Sequence, residues 1–306
     1  MKESKRVIFS AIAANVLIAI AKFVAAAFTG SSAMLTEGIH SVVDSGDGAL
    51  LLLGERLSQR PADEQHPYGH GREIYFWSFV VAIMIFAVGG GISIYEGILR
   101  LMNPEPIKVP IWNYIVLGAS FLIEGTSFVI ALRHFHAQNE SGLTMFAAIK
   151  RSKNPSDFMV LFEDAAALAG ILLAALGVSL ELWTGNPMFD GAASIAIGLL
   201  LCAVAAMLVR ETRGLLVGES LLPETAARIR RIVESDTAVE RCAHPLSTYL
   251  GPDTVLINVA IQFRRSLETG AIERAIERIE TSVRQEFPVV KHLFIALESL
   301  EPEASD

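Results

Sequence analysis

Apolar residues fill the first two thirds of this chain in long blocks rather than at amphipathic spacing. Six stretches, at about 7–29, 33–57, 74–100, 111–135, 156–183 and 189–210, approach or exceed the ~20 mostly apolar residues that a helix needs to cross a bilayer. The first, VIFSAIAANVLIAIAKFVAAAFT, is too long for a signal-peptide core and is followed by another span rather than a clear cleavage site. It is therefore expected to remain as a helix. From about residue 211 the pattern changes. Pro223 and Glu224 open a predicted helix over 224–235. Residues 240–249 and 254–263 read as strands around the turn signal Leu250-Gly251-Pro252-Asp253, which makes a hairpin. Ile272, Ile276, Ile279 and Val283 recur at helical spacing within 268–285, and 290–298 forms a last strand. The expected fold is an α-helical membrane protein. Residues 1–210 form a six-helix transmembrane domain, and 211–306 a small α+β domain of order αββαβ, ferredoxin-like, with helices on one face of a sheet.

Charge follows the same division. The first 210 residues hold 14 basic and 17 acidic side chains, about 15% of that segment. The last 96 hold 11 and 16, about 28%, close to the ~25% of soluble domains. A net charge of −8 repels phosphate and argues against a nucleic-acid partner. Two cysteines, Cys202 and Cys242, are too few for a disulfide framework or a Cys-rich zinc module. Basic residues near the span ends set the orientation. Lys2, Lys5, Arg6, Arg56, Arg60, Arg72, Arg133, Lys150, Arg151, Lys153, Arg210 and Arg213 fall on one side, and Arg100 and Lys108 on the other. Six spans with this bias place both termini in the cytoplasm.

Ionisable groups inside apolar spans are costly and mark ion pathways. His40 and Asp44 are four residues apart in the second stretch and share one helix face. They could grip one metal ion, or simply hydrogen-bond to each other. Glu163 and Asp164 interrupt the fifth stretch, about 100° apart around a helix of 3.6 residues per turn. One of them is expected to face the His40/Asp44 pair and the other water or another helix. Asp47 and Glu124 are further carboxylates at membrane depth, whereas Glu96 and Asp190 are expected to be hydrated near the outer face. The loop after the second stretch reads Asp63-Glu64-Gln65-His66-Pro67-Tyr68-Gly69-His70-Gly71. Its carboxylate and two imidazoles suit zinc or a similar divalent cation, or else form a polar turn with incidental histidines.

Taken together, the His40-x3-Asp44 pair, the Leu50-to-Gly54 run, the Pro61-to-Gly71 loop and the αββαβ tail resemble the cation diffusion facilitator family, whose members export divalent metals such as zinc. The Glu163-Asp164 arrangement resembles the branch of zinc transporter nine. The resemblance implies a transport site at His40, Asp44 and Asp164, with a fourth ligand four residues before Asp164. That position is Val160, which cannot bind metal, so either Glu163 substitutes or water completes the site. A site richer in oxygen loosens zinc preference towards Mn2+ or Fe2+, although His40 keeps zinc first. The resemblance implies a second site at Asp63, His66 and His70. It implies a homodimer too, and a charged contact for which Arg72 and Glu219 are candidates. In the tail, His244 matches one ligand of a binuclear cluster, but Val259, Ile272 and Ala296 stand where others are expected, so the tail is predicted to bind no such cluster.

Metal ligands must lose protons to bind, and an imidazole of ordinary pKa near 6.5 does so close to neutral pH. The expected activity is efflux of a divalent cation, Zn2+ first, by exchange with protons, with no organic cofactor. An intramembrane metalloprotease would need a His-Glu-x-x-His string, which does not occur, so no enzymatic activity is expected. A membrane metal sensor or scaffold that binds without transporting remains the other class. With no targeting segment visible, a bacterial inner membrane is the expected location.

Overall fold

The structure, a computed structural model, describes residues 2–138, 148–149 and 151–299, with side chains from residue 15 onward except those of His134 and Gln138. Lys150 lies outside the described residues, as do the side chains of Lys2, Lys5 and Arg6. The chain divides into two compact units. One comprises residues 1–56 and 74–213, the other 57–73 and 214–306.

The first unit is built of long helices: α1 (Lys2–Thr29), α2 (Ser32–Ser58), a continuous rod of α3 (Glu73–Met84), a π-helical segment (Ile85–Gly91) and α4 (Ile92–Met102), then α5 (Ile111–Gln138), α6 (Pro155–Thr184) and α7 (Met188–Val217). Four of these, Glu73–Met102, Ile111–Ala137, Pro155–Thr184 and Met188–Val217, are long and apolar enough to cross a membrane. The part of α1 whose side chains are described, Asn15–Thr29, is also apolar. In α2, Glu37, Asp44, Asp47, Glu55 and Arg56 interrupt the apolar run. Side chains such as Leu17, Phe28, Leu122 and Trp183 are exposed on the outside of the helices, a surface that suits lipid and not water.

The helix ends are read directly from sequence. Asn154 caps α6 by accepting from the Ser156 N–H at 3.3 Å, and Pro155 takes the first helical position. Gly185 ends α6 in the left-handed region at φ 69°, its N–H donating to the Glu181 carbonyl. Gly30, at φ 72°, turns the chain from α1 into α2. The π-helical segment ends in Gly89-Gly90-Gly91, and a β-carbon on Gly90 would lie 3.1 Å from the Gly198 carbonyl of α7. Small residues thus let two backbones approach closely, as membrane helices do.

The second unit carries α8 (Pro223–Glu234), β1 (Val239–Cys242), β2 (Leu246–Gly251), β3 (Thr254–Phe263), α9 (Thr269–Glu286) and β4 (Val290–Leu297). β3 pairs antiparallel with β1 and β2 and parallel with β4. Val255, Ile257, Val259, Ile261 and Phe263 alternate inward along β3 and pack with Ile229 and Val233 of α8 and Ile279 and Val283 of α9. The single strand expected over 240–249 is broken. Cys242 faces Ile261 and Leu246 faces Asn258, so three residues intervene on one side and two on the other. This is a bulge, placed at Pro245, which has no N–H to give the ladder.

Candidate functional site

The α2 helix positions a polar face. Glu37, His40, Ser41, Asp44 and Asp47 recur at helical spacing, and all but Asp44 are almost fully buried. His40 Nδ1 lies 3.1 Å from Asp44 Oδ1. His40 Nε2 and both oxygens of Asp47 have no hydrogen-bond partner among the described residues. A buried polar atom left unpaired is expensive, so such atoms point to an unbound partner such as an ion.

The other carboxylates come from α5 and α6. Glu163 is 8% exposed, its Oε1 is unpartnered among the described residues, and Asp47 and Asp44 are its electrostatic neighbours. Asp164 accepts from Ser127 Oγ of α5 at 2.9 Å and has Glu124, Asp44 and His40 as neighbours. Glu124 is buried at 6% exposure. Asp44 therefore stands within electrostatic reach of every other member of the cluster. His40, Asp44 and Asp164 are not drawn together into one compact ligand set. Val160, one turn before Asp164, is 37% exposed.

The loop site is already assembled. The ligand atoms of Asp63, His66 and His70 all lie within 4.8 Å of one another. Asp63 organises them. Its Oδ1 accepts from the backbone N–H groups of Gln65 and His66 at 2.9 and 2.7 Å and lies 3.2 Å from His66 Nδ1, while Oδ2 is 3.0 Å from His70 Nε2. The hydrogen bond with His70, followed by that from the His66 backbone, pulls the Asp63 carboxyl down to about 2. One carboxylate and two imidazoles leave a fourth position for water or a further ligand, as open zinc sites do. The loop folds with the second unit. Tyr68 packs edge-on against His292 with ring centroids 5.2 Å apart, and Arg72 donates to Thr248 Oγ1 at 3.3 Å. Gly71 lies against the Leu250 carbonyl so closely that a β-carbon would collide with it.

Sequence reasoning missed two buried groups, Lys22 and Glu37, and misplaced a third, Asp190. Lys22 of α1 is fully buried and pairs with Glu37, which sits on the same α2 face as His40. Asp190 is not hydrated but fully buried, where it accepts from the N–H groups of Ser32 and Ala33 at the start of α2.

An imidazole set among carboxylates, inside helices with lipid-suited exteriors, defines a membrane protein built to handle a cation. The model of the cation efflux transmembrane domain matches residues 8–217, and the chain belongs to the cation efflux family, a family of transporters. Among its relatives, the mitochondrial proton-coupled zinc antiporter SLC30A9 of Xenopus laevis is 34% identical over 302 residues, covering 95% of this chain and 54% of that one. The Homo sapiens protein of the same name is 32% identical over 282 residues, 90% and 50% of the two chains. The cation-efflux pump FieF of Cronobacter sakazakii is 25% identical over 273 residues, 89% and 85%. The chain spans about half the length of the SLC30A9 relatives it matches. These relatives correct one expectation. A bacterial inner membrane is not supported, because the relatives at 32–34% identity are mitochondrial. The basic-loop bias orients spans but does not say which membrane holds them.

Proposed function

We propose that this chain exports a divalent metal, zinc first, in exchange for protons, and that six helices span the membrane to do so. The observation that carries this reading is the His40–Asp44 contact at 3.1 Å, with Glu124, Glu163 and Asp164 in electrostatic reach of Asp44. The names of the SLC30A9 relatives, which join zinc to proton coupling, support it.

His40, Asp44 and Asp164 hold the cargo, with Glu163 supplying the donor that Val160 lacks. The metal enters from the side of the basic loops and displaces protons from the imidazole and carboxylates. The helices rock, protons from the far side reload the ligands, and the metal leaves. The unpaired Nε2 of His40 and Oε1 of Glu163 are the atoms left free for this exchange. Asp63, His66 and His70 form a second metal site in the loop. The chain acts as a homodimer whose tails join by packing, since Val259, Ile272 and Ala296 offer no donor atoms.

Carboxylates outnumber the single imidazole in the helix cluster, which favours Mn2+ or Fe2+ as a second reading of the cargo. Uptake of Zn2+, Mn2+ and Fe2+ into proteoliposomes, by wild type and Asp164→Ala, tests both. Zinc flux lost in the variant supports the zinc exporter. Manganese or iron flux with little zinc replaces the cargo. No flux of any metal, with zinc still bound, turns the reading to a sensor.

A further inference from the structure

Two buried groups stand outside the ligand set. Lys22 Nζ lies 3.0 Å from Glu37 Oε2 and donates to Ser41 Oγ at 2.8 Å, and both charged side chains are 0% exposed. A buried ion pair is weak evidence for stability, because desolvation offsets its attraction. In an apolar bundle its retention points to transport. Glu37 precedes Asp44 by seven residues, about 10 Å along α2 at ~1.5 Å per residue, on the side of the α1–α2 turn. Its Oε1 has no hydrogen-bond partner among the described residues. That oxygen faces Gly170 of α6, where a β-carbon would collide with it. Gly170 lies six residues beyond Asp164, about 9 Å along α6 in the same direction. The pair thus sits between helices one layer from the ligands, away from the basic loops. A cavity of about 570 Å3 lies at that end, lined in part by Phe23, Ser31, Ser32, Leu35, Glu96 and Arg100.

We propose that the Lys22–Glu37 ion pair is the exit gate of the transport path, with the Lys22 ammonium serving as a tethered cation that the departing metal displaces from Glu37. This rests on the transport function proposed for the His40 cluster. With the gate closed, the ammonium repels a divalent ion held near His40, and Ser41 fixes it in place. When the metal moves outward, the unpaired Oε1 of Glu37 offers it the first oxygen, and the missing side chain at Gly170 leaves room. The ammonium swings aside, the ion passes to the outer cavity, and Lys22 re-pairs with Glu37 behind it. No bond other than these ionic contacts forms or breaks.

The test measures Zn2+ bound per chain and downhill Zn2+ flux in proteoliposomes of the full chain. Lys22→Met bares a buried carboxylate on the path. It should bind one extra Zn2+ per chain and lose flux at least tenfold. Adding Glu37→Gln to it removes the trap, so the zinc count returns to that of wild type and flux recovers at least tenfold. Ser41→Ala keeps both charges but loosens the ammonium, and should raise downhill flux about two- to fivefold. It decides the matter if Lys22→Met does not fold. Wild-type flux and zinc count in Lys22→Met, a double variant as slow as the single one, or unchanged flux in Ser41→Ala would overturn the gate. Asp44→Ala separates the two layers. If wild type moves zinc and Asp44→Ala does not, a silent Lys22→Met refutes the gate alone. If wild type itself moves no zinc, the transport reading fails and the gate falls with it.

Discussion

Asp190 fastens the start of α2 to the start of α7, and replacing it should loosen the helix that carries His40 and Asp44, the proposed cargo ligands. Its carboxylate is fully buried and accepts from Ser32 Oγ at 2.8 Å, from the Ala33 N–H at 3.3 Å, and from Ser31 Oγ and the Ser32 N–H. Arg100 Nε lies 3.6 Å away. Asp190→Ala leaves the first N–H groups of α2 without their acceptor, a capping loss of about 1–2 kcal/mol. It also strips Arg100 of a buried counter-charge, a change that costs about 3–5 kcal/mol when nothing replaces the partner. Arg100 retains the Glu105 carbonyl at 2.6 Å and its carboxylate at 4.0 Å, so the lower end of each range applies and the total is about 4 kcal/mol. At about 2–4 °C per kcal/mol for a domain of this size, Tm should fall by about 8–16 °C. Asp190→Asn keeps one acceptor oxygen and should lose about half as much. Thermal unfolding of the purified protein in detergent, followed by tryptophan fluorescence, reads both. A loss under about 2 °C for Asp190→Ala would mean that the α2 start is held by something else.

Three further expectations follow from single positions. Gly71→Ala drives a β-carbon into the Leu250 carbonyl and should shift the loop, weakening zinc binding at Asp63, His66 and His70 about tenfold in a titration of the loop site. Asp63 is depressed to about 2, so its ionised carboxylate supports the loop above its ordinary pKa of about 3.9 and loses that support only as pH falls towards 2. The carboxyl carbon resonance of Asp63 should therefore titrate with a midpoint near 2, and a midpoint at or above the ordinary value would contradict the assembled loop. Val160→His places an imidazole one turn before Asp164 and should raise zinc over manganese flux about tenfold, whereas an unchanged ratio would remove that position from the site.

Much of the architecture was legible because long apolar blocks tolerate few interpretations. The helices begin and end within a few residues of those blocks, except where α1 and α7 extend through flanking polar residues. The juxtaposition of Asp63, His66 and His70 was legible because the three are close in sequence. Lys22 and Glu37 were not, because each looks like a lone charge in an apolar run. A signal existed nonetheless. Lys22 stands eight residues before the turn glycine Gly30 and Glu37 seven after, so an antiparallel α1–α2 hairpin sets them level. Asp190 misled because a carboxylate near a span end is ordinarily hydrated, and its donors lie about 160 residues away in sequence on another helix. The break at Pro245 needed the register of β3, which no local pattern carries.

The central claim is that metal and protons compete for the same atoms around Asp44. Proteoliposomes with a trapped pH indicator test it most directly. With wild type, an imposed Zn2+ gradient should drive protons in the opposite direction, and Asp44→Asn should abolish zinc and proton movement together. Zinc flux with no proton movement in wild type, or undiminished exchange in Asp44→Asn, would contradict the account.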